Sequence, residues 1–280
     1  MRTTLIPTVL LLPILILVLC IGYTDQPSEV PEKSAAEPIA QALVDDITAQ
    51  MDEYITKMES NLEALDGSPR YAENNADIVR DANALAVLAL AVGLSDADSK
   101  YKKSAPNIIS ATKNLAAAKN FNDGKKAYDA LKASLTDTTA GEPLSWSNKV
   151  GDLTPLMKAL PNLNSAVKRV TDTERKLFTT LRRNPQPVYS QLVAMAVISQ
   201  GSIPNVVDTA KPDAADEWKK FCEEFRDAVL EVRSAARQYA QDEADNKDPS
   251  YAPFSASFRA MTASCEHCHE VFYPSAIGQQ

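Results

Sequence analysis

Apolar residues recur along most of the chain at steps of three and four, the period of a helix that buries one face. The clearest run is Trp218, Phe221, Phe225, Val229, Val232, Ala236 and Tyr239, which share one face of a helix predicted from Asp213 to Ala244. That stripe reads as core, with an aromatic cofactor box as the alternative; Cys222 beside it reads as a buried, inert thiol. Sustained alternation of Val, Ile, Thr and Tyr is missing, and only 8 glycines interrupt 280 residues, so the pattern predicts an all-α protein.

Helical patterning covers Glu37 to Leu65, Ala72 to Val92, Ser99 to Lys119 and Asp123 to Leu135, with Gly67, Pro69 and Gly93 as stops. The small, polar stretch "TDTTAGEPLSWSN", residues 136–148, then reads as a domain boundary. Beyond it come Leu153 to Leu181, Pro187 to Gln200, Asp213 to Ala244 and Pro253 to Phe272; Pro155 is tolerable in a first turn and Pro161 predicts a kink. The order repeats: an Ala-rich apolar second helix ("DANALAVLALAVG", "VYSQLVAMAVISQG") precedes a more polar third and an aromatic-bearing fourth. We read a degenerate duplication, two tandem up-and-down four-helix bundles at 36–140 and 152–275 with a connector at 141–151.

Composition narrows the function. With 45% hydrophobic and 24% charged residues the chain is globular, and 280 residues suit two modules. A net charge of −8 argues against a nucleic-acid partner and favours a basic one. Arg2 precedes the apolar run Leu5 to Tyr23, and a polar linker, 24–35, with Pro27 and Pro31 follows. The run reads as an export signal or an uncleaved membrane anchor. Cys20 invites a lipoprotein reading that the bulky Leu19 before it disfavours. Each reading places the rest of the chain outside the cytoplasm, in the periplasm or an equivalent compartment.

Both histidines and half of the four cysteines fall in Cys265-Glu266-His267-Cys268-His269. Phe254, Phe258, Met261, Cys265, Cys268 and Phe272 follow helical spacing, so both thiols lie on the core seam of the last helix. Two small thiols there leave a void whose cost would be about 2–5 kcal/mol unless something fills it. C-x-x-C-H is the attachment signature of c-type haem: the thiols add to the two vinyl groups and the adjacent imidazole, His269, supplies an axial nitrogen to iron. In this composition its chance occurrence is on the order of one in a few thousand. A zinc site from Cys265, Cys268, His269 and Cys222, a thioredoxin-type dithiol and a Cys265–Cys268 disulfide are the alternatives. Zinc lacks a second ligand pair at normal spacing, and the dithiol lacks a βαβ context.

The far side of the iron is left to the methionines, because His267 sits within the same turn as His269 and no other histidine exists. In an up-and-down bundle the end of the fourth helix meets the start of the first, here "LTPLMKALPNL". Met157 is the best-placed distal ligand; it also suits a gap-filling core role, with Leu156 or Leu160 capping an open iron instead. Met195 lies on the diagonal helix, and Met261 shares the ligand helix and cannot reach across.

With "CEHCHEVF" closing the fourth helix and "LMKALPNL" opening the first, roughly residues 150–275 resemble the cytochrome c′ family and its Met-ligated relatives. The resemblance implies an exported four-helix bundle with one covalent haem on Cys265, Cys268 and His269, and Met157 or a neighbouring leucine on the distal face. The pattern departs at Tyr273, where the family usually carries Arg or Lys. The first half has neither cysteine nor histidine between residues 36 and 140 and resembles a haem-free duplicate, a docking or dimerisation half. Electron transfer with a redox partner protein is the expected function, not catalysis: no distal histidine is present to act as acid and base. Binding of a small gas, NO or CO, at five-coordinate iron is the alternative. A third expectation makes the haem-free half the partner-binding end.

Overall fold

The computed structural model describes residues 41–66, 70–205 and 213–272. Among these residues there are ten helices and no strand: α1 Gln41–Ala64, α2 Tyr71–Asn74, α3 Ala76–Leu94, α4 Ala105–Ala117, α5 Phe121–Ser134, α6 Leu153–Thr171, α7 Glu174–Arg183, α8 Gln186–Ser202, α9 Ala214–Ala244 and α10 Tyr251–Phe272. The protein is all-α. The apolar run Leu5 to Tyr23, Cys20, the linker, Gly67, Pro69 and Tyr273 lie outside the described residues. No helix among those described is long and apolar enough to cross a membrane.

The stretch expected to run from Leu153 to Leu181 with a kink at Pro161 is two helices. Pro161 sits inside α6, and the chain breaks at Asp172–Thr173, where the Thr173 hydroxyl accepts the backbone N–H of Lys176 at 3.3 Å. A capped N-terminus satisfies an orphan donor locally, which favours a fresh start over a continuous rod. The stretch from Ala72 to Val92 likewise divides, into α2 and α3, at Asn75. The two halves therefore share an order of five: a long helix, a short one, an almost wholly buried apolar one, and two more.

The apolar helices α3 and α8 are central. Nearly every residue of α3 from Asp81 to Val92 and of α8 from Val188 to Ser202 is buried. A helix apolar all round has to be surrounded. α3 packs against α1, α4, α6 and α8, and α8 against α1, α6 and α9. At Gly201 a Cβ would collide with Val87, so the lack of a side chain is what lets α8 approach α3 so closely. The main hydrophobic core consequently runs without a break from Ile47 in α1 to Met261 in α10, across the 136–148 connector.

Polar ties reinforce that shared core. Asp46 of α1 is buried against α9, where Arg233 Nε donates to Oδ2 at 2.8 Å, and Gln186 of α8 donates to its Oδ1 at 2.9 Å. The Arg233 guanidinium also lies over the Tyr189 ring at 5.8 Å. The seven-residue stripe from Trp218 to Tyr239 is buried throughout, as its spacing predicted.

Candidate functional site

α10 runs antiparallel to α9, so its C-terminal turns meet the start of α9. Trp218 and Phe221 of α9 both meet Phe272 edge to face, with ring centroids at 5.4 Å and 5.8 Å. Such T-shaped pairs contribute about 0.5–1.5 kcal/mol each beyond area burial. Trp218 is fixed at its other end too: its Nε1–H donates to the Ser202 carbonyl at 3.0 Å, closing the end of α8. Trp218, Phe221, Cys222 and Phe272 with Ala214 form a second, smaller apolar cluster at this end of the protein.

The seam of α10 changes character as it reaches this cluster. Phe254, Met261 and Phe272 are buried, whereas Cys265 and Cys268 are half-buried. Cys265 packs against the main core and Cys268 against the smaller cluster, so the two thiols straddle the boundary between them. Both are free, and neither has a hydrogen-bond partner among the described residues. Burial pushes the Cys265 thiol up to about 12, with the neighbouring Cys268 adding to the effect, and burial pushes Cys268 up to about 11. Both are neutral thiols at physiological pH.

Cys222 is buried inside the smaller cluster, and burial pushes its thiol well above the usual range. The Ser199 hydroxyl donates to its carbonyl at 2.8 Å, linking α8 to α9. His267 is exposed and leans its ring edge-on against Phe221, centroids 4.9 Å apart. His269 is half-buried in the last turn of α10. Among the described residues no three or more His, Cys, Asp or Glu side chains gather as a set able to hold a metal ion, so Cys222, Cys265, Cys268 and His269 do not form the four-ligand zinc set.

The start of α6 lies at the same end. Met157 is partly buried and packs against both clusters, sharing the smaller one with Cys268, Leu153, Ile203 and Val271. Leu156 is wholly buried in the main core, with Leu160 half-buried against it. Met195 and Met261 are almost fully enclosed in that core. Met157 is thus the methionine that the fold brings to the cysteine end.

Sequence patterning did not show what fixes the start of α6. Asn83, in the middle of α3, accepts the Asp152 backbone N–H on Oδ1 at 2.7 Å, and Asn205 donates to the Gly151 carbonyl at 3.1 Å. Asp152 is the N-cap residue of α6, so a buried side chain of the first half sets where the Met157 helix begins. The only sequence signal for this was a polar residue in an otherwise apolar run, "DANALAVLALAV". Comparison with protein-family models, with curated proteins and with solved structures finds no match.

Proposed function

We propose that the chain is an exported mono-haem c-type cytochrome that transfers electrons, built from two four-helix halves in tandem. The observation that carries this reading is the pair of half-buried, unpartnered thiols on the packed seam of α10, four residues from His269 at the farther, beside an apolar cluster they share with Met157. The fit is chemical: large apolar side chains fill the seam on both sides, at Met261 and Phe272, and the two small thiols between them leave it open. A bulky apolar group linked to Cys265 and Cys268 would cover that opening and gain the burial that the thiols forgo.

In this reading Cys265 and Cys268 would carry the thioether links, His269 would supply an imidazole nitrogen to the iron and Met157 a thioether sulfur. The bound group would supply a one-electron iron couple. The chain's own side chains do the rest. Trp218, Phe221 and Phe272 exclude water from the Cys268 side. Asn83 and Asn205 hold the first turn of α6 in register, which fixes the position of Met157. A Met ligand raises the reduction potential and occupies the site, leaving outer-sphere electron exchange as the natural task.

The redox partner is expected to be basic at its contact surface, because Glu266 and Glu270 are exposed beside the motif. The test is the optical spectrum of the reduced protein with and without CO, on wild type and Met157→Ala. Electron transfer with Met ligation predicts no CO-induced shift of the Soret band in wild type and a shift in the variant. A shift already present in wild type, unchanged by the substitution, would instead establish an open iron that binds gases.

A further inference from the structure

The protein's ends differ. Beside the CxxCH end stand the start of α6, the end of α8, the start of α9 and the end of α10. The opposite end holds the last residue of α6 and the first of α10, joined where the Tyr251 hydroxyl donates to the Thr171 carbonyl at 3.0 Å. It also holds the starts of α8 and α1, joined through Gln186 and Asp46. α7 closes this end, linked to α6 and α8 by two residues on each side.

α7 reads "ERKLFTTLRR" and is sharply two-faced. Leu177 and Leu181 are buried in the main core. Its outer face is Arg175, Lys176, Thr179, Arg182 and Arg183, all exposed. Lys168 and Arg169, exposed in the last turn of α6, extend the same patch. Six cations within sixteen residues of a chain whose net charge is −8 are a local reversal of sign. Lys176 pairs with Asp172 at 2.8 Å and Arg182 lies over the Phe178 ring at 5.7 Å; the other four have no ion pair among the described residues. Of the acids at this end, Glu174, Glu243 and Asp248 lie around Tyr239, Asp46 is buried under Arg233 and Gln186, Asp172 pairs with Lys176, Asp242 and Asp245 pair with Lys247, and Asp45 is exposed at the start of α1.

We propose that the outer face of α7, with Lys168 and Arg169, is a docking surface for the anionic headgroups of a phospholipid membrane. The membrane is favoured over a soluble polyanion by where the chain enters: α1 begins at Gln41, at this end, and the sequence preceding it carries the apolar run Leu5 to Tyr23. If that run is inserted in a membrane, it tethers the chain to it, and a basic face then meets headgroups at raised effective concentration. Because the apolar face of α7 is already buried, the contact is electrostatic adsorption and not insertion, so it weakens with salt. It also sets orientation. α10 rises about 1.5 Å per residue, so Cys268 lies roughly 25 Å along the helix from its first residue, Tyr251, at the end away from α7.

The experiment is lysine footprinting of the full chain in nanodiscs, with acetylation read by mass spectrometry. Anionic phosphatidylglycerol-containing discs are compared with purely phosphatidylcholine ones. Lys168 and Lys176 are expected to be protected several-fold on anionic discs only, with protection lost in high salt and in Arg175→Glu/Arg182→Glu/Arg183→Glu. Lys219 and Lys220, at the start of α9, are expected to label equally throughout. Equal labelling of Lys168 and Lys176 on both disc types overturns the proposal, as does protection of Lys219 and Lys220 instead. Protection by added polyglutamate but not by anionic discs would overturn it in favour of an acidic protein partner.

Discussion

Cys268 and Met157 belong to different helices more than a hundred residues apart in sequence, yet both rest on Trp218, Phe221, Cys222 and Phe272. That the two cysteines share the seam of α10 was legible in the sequence because both lie within one helical turn, where spacing alone decides what shares a face. That Met157 lies near Cys268 was legible one step further out, through the rule that neighbouring helices of an up-and-down bundle run antiparallel. Asn83 was not legible: a buried asparagine in an apolar run announces that it has a partner but not which backbone it will meet. Removing it should shift the start of α6. Asn83→Ala leaves the Asp152 N–H unsatisfied at a cost of about 1–3 kcal/mol, and the proposed Met157 ligation should suffer before the fold does. The check is denaturant unfolding beside the ferric spectrum: loss of six-coordination at intact helicity is expected, and an unchanged spectrum would remove Asn83 from the account. Trp218→Ala, which opens the smaller cluster and frees the Ser202 carbonyl, should cost about 3–5 kcal/mol, read by the same unfolding curve.

Periodicity located the helices well, because apolar recurrence is a property of the local chain. It failed at the breaks. The Asp172–Thr173 break turns on one hydroxyl capping α7, a signal weaker than the apolar pattern that runs on through Leu177 and Leu181. How α3 and α8 approach each other was equally hidden, since a helix apolar on every side does not say which neighbour lies where. Gly201→Ala tests that contact: the new Cβ meets Val87, and overpacking should cost about 1–3 kcal/mol, measured as a shift in denaturation midpoint. The Asp46–Arg233 pair joins α1 to α9 at low exposure, 5% and 10% for the two side chains. Asp46→Ala leaves a buried guanidinium without its carboxylate, and the expected loss is about 3 kcal/mol. The α1–α5 contact carries a pH dependence. Burial holds the Tyr128 phenol, which donates to the Ile55 carbonyl at 3.0 Å, up to about 12 from 10.0. The folded state keeps that proton where the unfolded chain releases it, so this contribution is whole below pH 10 and is lost as pH rises from 10 toward 12. Denaturation midpoints should fall over that window, and Tyr128→Phe should flatten the fall.

At the scale of the whole chain, the repeat of helix order was visible and its consequence for packing was not. Sequence marks a connector at 136–148, but the buried faces of α3 and α8 lie against each other across it. Cutting there exposes both faces, so each half alone is expected to aggregate or to unfold without cooperativity, while the full chain melts in one transition; two independent transitions in calorimetry would show autonomous halves. The unequal ends give the fold a direction, with basic α7 at one pole and the cysteine pair at the other. The function proposed for that second pole depends on covalent haem. The most direct measurement is the visible spectrum of the purified, export-competent protein after denaturation and acid–acetone extraction. The account predicts one haem per chain that stays with the polypeptide and is lost in Cys265→Ser/Cys268→Ser. A polypeptide that emerges colourless, or that keeps its colour in the double variant, would contradict it.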